Sequence, residues 1–465
     1  MSQRSARISA TVAVAIASFI GSVMSSAINV ALPEIQQEFA LPAVTLTWIS
    51  TSFVLSNAVF LIAAGKIGDI YGRKKVFIGG IAVLAVTTLL CGVSSSGFSL
   101  ILFRVVQGLG SAMINATTMA ILSSVFPPHR RGVAIGIGVA SVYTGLSFGP
   151  FLGGIITTAL GWRWMFFLIA PVEVVPLLLT VIFVKEDWAD AKGESFDLAG
   201  SLLYGVSLVL FMYGMTILPL MRALIFLLPG LIGLVLFIRH ELKVRFPVLE
   251  VKLFRTNRVF AFSSVAALIH YSATYAITFL LSLFLQFSMG ISPRITGTIL
   301  VIQPVAQALL SPLAGRLSDR IEPTVLVSAG MSMVAAGLFL LSRLTSDTPL
   351  ILVIIVLAFL GAGYALFSSP NTNAIMSSVE KKYYGLASGV VATMRSLGQV
   401  LSMGVTTIVF TLFLGDSPIG EGNLPAFNRS VRVSFLIFTV LCLAGVYFSS
   451  VRGRLDREKS PAGDE

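Results

Sequence analysis

Long apolar runs follow one another along this chain with little between them, and that pattern leaves a stack of membrane-crossing helices as the fold. A helix needs about 20 mainly apolar residues to cross a bilayer. Inside the bilayer every backbone N–H and C=O must be satisfied within the segment, which favours helices. Fourteen runs meet the length. Six fall at about 8–32, 44–64, 76–95, 98–122, 132–158 and 163–184, and two follow at about 198–218 and 223–239. Six more lie at about 259–286, 295–314, 323–342, 349–369, 384–414 and 431–451. The thirteenth is too long for one span and is expected to end near Val409. Only 11% of the residues are charged, against about 25% in a soluble domain, so the chain is read as an all-α polytopic membrane protein.

The basic residues set its orientation. With both termini in the cytoplasm, 24 of the 32 Lys and Arg fall in cytoplasmic segments and six in outer loops. The other two, Arg104 and Arg395, lie inside spans. A bias of this size orients a membrane protein. Deleting any one span would put later basic loops on the wrong side. The net charge of +11 therefore follows topology and implies no nucleic-acid partner. The expected location is the cell membrane, with the lipid bilayer as the constant partner.

Several chemistries have no support. Cys91 and Cys442 both sit in apolar runs, and His129, His240 and His270 are scattered. No disulfide framework or metal-ligand cluster follows from that. There is no G-x-x-x-x-G-K-[ST] loop for nucleotide-driven pumping. No cofactor is expected, and no enzymatic activity. The first apolar stretch, behind Arg4 and Arg7, is longer than a signal-peptide core and lacks a small-residue cleavage site, so it is read as a retained span.

Between the second and third runs lies Gly65-Lys66-Ile67-Gly68-Asp69-Ile70-Tyr71-Gly72-Arg73-Lys74-Lys75, read as a short polar loop. Gly65 and Gly72 let helix ends approach closely. Asp69 is one acid among the bases Arg73, Lys74 and Lys75, able to cap a helix N-terminus or pair with an arginine. The pattern resembles the loop between the second and third spans of the major facilitator superfamily. Gly315-Arg316-Leu317-Ser318-Asp319-Arg320, after the tenth run, resembles a shortened copy. Matching loops at matching positions suggest a parallel repeat. The expected division is a six-span bundle at 1–190, an inserted two-span pair with linkers at 191–256, a second six-span bundle at 257–453 and a polar tail at 454–465. The tail is expected to be disordered.

The fifth run carries Gly145, Gly149, Pro150, Gly153 and Gly154. Glycines at this spacing make a smooth face for close helix contact, and the proline bends the helix. The run resembles the G-x-x-x-G-P-x-x-G-G motif of major facilitator antiporters, which marks exporters. Asn29-Val30-Ala31-Leu32-Pro33, Gly161-Trp162-Arg163-Trp164 and Phe196-Asp197-Leu198-Ala199-Gly200 resemble signatures of the fourteen-span drug:proton antiporter family. That family usually has an acid five residues before the asparagine, where this chain has Met24.

Ionisable groups inside spans are costly and are functional candidates by default. Of the 21 acids only Glu173 falls well inside a span. Burial favours the neutral form of a carboxyl, so Glu173 can take the place of the missing acid. The alternatives are a polar contact to a neighbouring helix or a lipid-facing glutamate kept neutral. Arg104 resembles the superfamily's fourth-span arginine, linked there to proton transfer. It cannot release its own proton, so its role would be to tune a neighbour or hold an anion, unless it is a hub for backbone carbonyls. His270 is a second titratable candidate. By the repeat, the ninth span corresponds to the cavity-lining first span of the superfamily. Tyr271 and Tyr275, with Asn29, Gln303, Gln307 and Arg395, are the candidate cavity residues, and Asn371 and Asn373 are further candidates.

The resemblance implies a monomeric exporter of small amphipathic compounds, driven by proton antiport and alternating access. Gly65, Asp69, Gly72, Arg73 and Asp319 would form its conformational latch. Export of one metabolite or lipid with little proton coupling is the second expectation, and Met24 favours it. A membrane scaffold is the third, although it would have no use for intramembrane charges.

Overall fold

The computed structural model describes residues 3–126, 131–184, 186–218, 221–379 and 384–451. Side chains at 3–7, 123, 131–136, 139, 319 and 384–386 lie outside the described set, as does the expected tail. Among the described residues every regular element is a helix. The first six are α1 (Gln3–Phe39), α2 (Ala43–Tyr71), α3 (Arg73–Gly92), α4 (Gly97–Val125), α5 (Arg131–Leu160) and α6 (Trp162–Phe183). Then come α7 (Leu198–Thr216), α8 (Leu224–Glu241) and the short α9 (Lys252–Thr256). Next, α10 (Arg258–Thr274) and α11 (Ala276–Leu283) form one crossing, and α12 (Pro293–Leu300) and α13 (Ile302–Arg320) form another. The chain closes with α14 (Pro323–Leu341), α15 (Leu350–Ser377), α16 (Tyr384–Phe413) and α17 (Leu424–Val451). Among the described residues thirteen crossings are long and apolar enough for a membrane, and the 30-residue α5 stands between α4 and α6 as one more long helix.

The helix ends follow local chemistry. Ser96 and Ser99 form a capping box at α4, and Asn257 and Ser292 cap α10 and α12 with their side chains. Such caps satisfy N–H groups that the first turn leaves open.

Three expectations about boundaries are corrected. The stretch Gly65–Lys75 is not a loop: α2 continues to Tyr71, Gly72 alone breaks the helix at φ 119°, and α3 starts at Arg73. Gly315–Arg320 is likewise helical, as the end of α13. The thirteenth run does not end near Val409 but stays helical to Phe413. Apolar windows miss these turns because polar residues at a helix end are solvated without breaking its backbone ladder.

Helices α1–α6 pack as one group, chiefly α1 on α5 and α6, α2 on α4, and α3 on α4 and α6. Helices α10–α17 form a second, with α10 on α16 and α17, α13 on α15, and α14 on α15 and α17. The pair α7–α8 packs on itself and rests on α2 and α16. At its basic end His240 Nε2 lies 2.9 Å from Asp197 Oδ2, and Leu249 N–H donates to Glu241 Oε2 at 2.8 Å. Asp197 also accepts from Gly200 N–H at 3.0 Å. Burial pushes the Asp197 carboxyl up, but the Gly200 N–H and His240 more than offset that and hold it below its ordinary value. Asp197, His240 and Glu241 bring ligand-type atoms within 4.8 Å of one another, a grouping invisible in the sequence because α7 and α8 separate its members.

The two groups meet tightly on the face opposite the basic loops. Gln36 Nε2 donates to Ile419 O at 2.7 Å, and Ala43 N–H to Ser417 O at 3.1 Å. A Cβ on Gly154 would lie 2.4 Å from Pro293 O, and one on Gly297 would lie 2.1 Å from Pro150 O. Only glycine allows backbones so close. On the basic face a vestibule of about 560 Å³ separates the groups.

Candidate functional site

A cavity of about 150 Å³ lies between the two groups, and Asn115 lines both it and the vestibule. Asn29, Tyr271, Tyr275, Gln303, Gln307, Arg395 and His270 all line this cavity. They come from α1, α10, α13 and α16, with Tyr275 at the junction of α10 and α11. Tyr143 and Tyr271 face each other at 3.3 Å across the boundary between the groups. Gln303 Nε2 donates to Gln307 Oε1 at 3.3 Å, and Gln307 Nε2 to Ser368 Oγ at 3.4 Å. Ser50 Oγ donates to Asn29 Oδ1 at 2.9 Å. His270 stacks on Phe367 with centroids 3.9 Å apart and meets Tyr271 and Tyr364 edge-on. Its Nδ1 has no partner among the described residues. Asn371 and Asn373 fall outside the cavity. The first donates to Ser263 O at 3.1 Å and the second to Ser318 Oγ at 3.0 Å.

Glu173 and Arg104 are not in the cavity wall. Each is 1% exposed, and a single hydrogen-bonded chain joins them. Thr88 Oγ1 donates to Glu173 Oε1 at 3.2 Å, and Gln107 Nε2 donates to Thr88 Oγ1 at 2.9 Å. Arg104 Nη1 then donates to Gln107 Oε1 at 2.7 Å, and its Nε to Ile49 O at 3.2 Å. The guanidinium rests 4.3 Å from the centroid of Phe53, a ring that lines the cavity. Helix α6 thus reaches the cavity through α3, α4 and α2. Thr88 and Gln107 escaped the sequence reading because a lone threonine and a lone glutamine carry no spacing signal. Glu173 Oε2 has no partner among the described residues.

The glycines of α5 serve two contacts. Cβ atoms at Gly145, Gly149 and Gly153 would strike Phe19 O, Ser26 Oγ and Ala27 O of α1. Gly154, on the adjacent side, meets α12 instead. Pro150 stays within one helix and offers its carbonyl to the approach of Gly297.

At the basic face, Gly65 and Gly72 bracket a charge cluster. Arg73 Nη2 lies 2.7 Å from Asp69 Oδ1 and 2.8 Å from Asp190 Oδ2, and Arg73 Nη1 donates to Ser124 Oγ at 2.9 Å. Lys66 pairs with Glu194 at 2.6 Å. Lys74 N–H donates to Asp187 Oδ1 at 3.0 Å, and Arg73 N–H to Trp188 O at 2.9 Å. A Cβ on Gly72 would lie 2.2 Å from Asp187 Oδ2. The linker after α6 therefore docks its acids on the bases of the α2–α3 junction. Opposite charge runs in the two segments were the available signal. The side chain of Asp319 lies outside the described residues.

Comparison with known proteins agrees with this architecture. The model of the Major Facilitator Superfamily matches residues 14–403 and 263–464. The chain is 32% identical to the multidrug resistance protein Stp of Mycobacterium tuberculosis (strain CDC 1551 / Oshkosh), over 83% of this chain and 73% of that one. It is 28% identical to the riboflavin transporter RibZ of Clostridioides difficile (strain 630), over 92% and 93% of the two chains. A crystal structure of a bacterial homologue of the human lysosomal transporter Spinster, inward-facing and unoccupied, superposes with a TM-score of 0.65 at 18% identity. It covers 96% of this chain and 97% of that one. With its two helix groups, the cavity between them and these matches, the chain belongs to the Major Facilitator Superfamily and is a transporter rather than an enzyme.

Proposed function

We propose that the protein is a secondary active exporter of small amphipathic compounds, working by proton antiport and alternating access. One observation carries the reading: a cavity lined by both helix groups that shares Asn115 with a vestibule on the basic face, while on the other face the groups meet backbone to backbone at Gly154 and Gly297. The bundles at 1–190 and 257–453 would rock about that cavity, with 191–256 as an accessory unit. The basic face would be cytoplasmic, so this conformation would face inward. Stp, named for multidrug resistance, supports the export of varied compounds. Proton coupling is assigned to Glu173, with Arg104 as its partner and His270 as the second titratable group.

The test is transport in liposomes under an imposed proton gradient, with internal pH and compound followed together. Compound movement that collapses the gradient supports antiport. Movement indifferent to it favours a second reading, export of one metabolite with little coupling, which Met24 and the similarity to a riboflavin transporter support.

Orientation has its own check. Ser417 is exposed on the sealed face, so a cysteine there should react with an impermeant thiol reagent in intact cells. Failure there, with labelling at position 460, would invert the topology.

The latch is proposed to act through Arg73. Asp69 is 39% exposed at its side chain, and an exposed pair contributes about 0–1 kcal/mol. Since Asp190 and Ser124 also hold Arg73, Asp69→Asn should slow transport only about two- to five-fold. Arg73→Ala removes all three contacts and should cost more. Equal rates in both variants and the wild type would remove the latch from the mechanism.

A further inference from the structure

We infer that the central cavity selects flat aromatic anions and discriminates against lipophilic cations. The inference rests on the exporter reading and deepens it. The described lining contains no carboxylate, and its one charged side chain is Arg395. Arg395 is half-buried and forms no ion pair among the described residues. A guanidinium away from bulk water gains strongly from an anion that it can bind through two N–H groups. A cation placed there would meet repulsion with no acid to offset it.

A second positive charge lies just behind the wall. Arg104 occupies one face of Phe53 while the ring lines the cavity. The electrostatic attraction that ring could offer a cation is already engaged by Arg104. The rest of the wall fits a planar ring system with polar edges. Tyr271, Tyr275 and Tyr364 supply aromatic surface, and Gln303 and Gln307 supply amide donors and acceptors. Aromatic walls with a few placed polar groups are the usual make-up of such sites.

The test uses two xanthene dyes of nearly the same skeleton and opposite charge, anionic fluorescein and cationic rhodamine 123. Binding is read by fluorescence anisotropy with the full chain in lipid nanodiscs. The wild type should bind fluorescein at least about ten-fold more tightly, as expected from a charge-assisted hydrogen bond. Arg395→Gln should remove that preference, and Arg395→Lys, which keeps the charge, should retain most of it. Equal or tighter binding of rhodamine 123, a preference that survives Arg395→Gln, or binding of neither dye would each overturn the inference. Its failure is separable from that of the exporter reading. If liposomes carrying the protein move rhodamine 123, export stands and the anion preference falls. If fluorescein binds with the expected preference but is never moved across the membrane, the preference stands and export falls.

Discussion

Gly297→Ala is expected to hold the transporter open on its sealed face and to cut transport about ten-fold or more while the protein stays inserted. A Cβ at this position would lie 2.1 Å from Pro150 O, 2.9 Å from Pro150 C and 3.4 Å from Gly154 Cα. All three are backbone atoms, so no side chain can swing aside. Helix α12 must back away from α5, and the reciprocal contact of Gly154 with Pro293 O goes with it. Overpacking of this kind costs about 1–3 kcal/mol, comparable to the gap between two conformers of a bistable protein. The cost falls only on the conformer in which the two helices touch, so the equilibrium shifts and the fold survives. A cysteine at Gln303, in the central cavity, reports the shift. In the wild-type background an impermeant reagent added from the sealed face should not reach it, and in Gly297→Ala it should. The native Cys91 and Cys442 are both buried, so background labelling is low. Unchanged labelling and unchanged transport would mean that the α5–α12 contact does not govern access.

Glu173→Gln is expected to abolish substrate-driven proton movement while leaving substrate binding intact. An antiporter needs a group that is protonated on one side and deprotonated on the other. Arginine cannot serve, and Glu173 is a carboxyl buried inside α6, with residue 24 of the first span a methionine. Glutamine has the shape and hydrogen-bonding capacity of a protonated glutamate, so the variant would be fixed in one coupling state. The chain through Thr88 and Gln107 explains how that state could be felt at the cavity. The Thr88 hydroxyl has one proton, which it gives to Glu173 while accepting from Gln107. A protonated Glu173 can donate to Thr88 instead, and Thr88 must then turn its own proton elsewhere. That change would be passed by Gln107 to Arg104, which rests on Phe53. Thr88→Val breaks the chain without touching either charge and should weaken coupling without removing the acid. Downhill exchange of substrate should persist in both variants. If proton movement per substrate survives Glu173→Gln but fails in His270→Ala, the role passes to α10. If both variants keep it, protons enter by neither group.

Much of the fold was legible in the chain because the bilayer allows so few solutions. Apolar length predicts the crossings. The glycine spacing in the fifth run predicts a close helix contact there. Seven polar or aromatic candidates from four runs share one cavity, because polar side chains in membrane helices turn toward the interior. The exceptions are Asn371 and Asn373, which face neighbouring helices and bond there. Composition could not separate those two cases, since both satisfy a polar side chain away from lipid.

What the sequence by itself determined is the set of helices, their order and the positions where backbones can touch, because these depend on local length, charge and side-chain size. Only the tertiary structure decided which groups meet. It joined Glu173 to Arg104 through two residues with no motif of their own. It set the acids of the linker against Lys66 and Arg73. It divided the α5 glycines between α1 and α12, and it left Arg395 in a cavity whose described lining has no acid. The physical reason is the same in each case. Hydrogen bonds, ion pairs and backbone contacts between helices depend on rotation and depth in the bundle to within about an ångström, and a hydropathy pattern specifies a helix's position only to within a turn or so of about 5.4 Å.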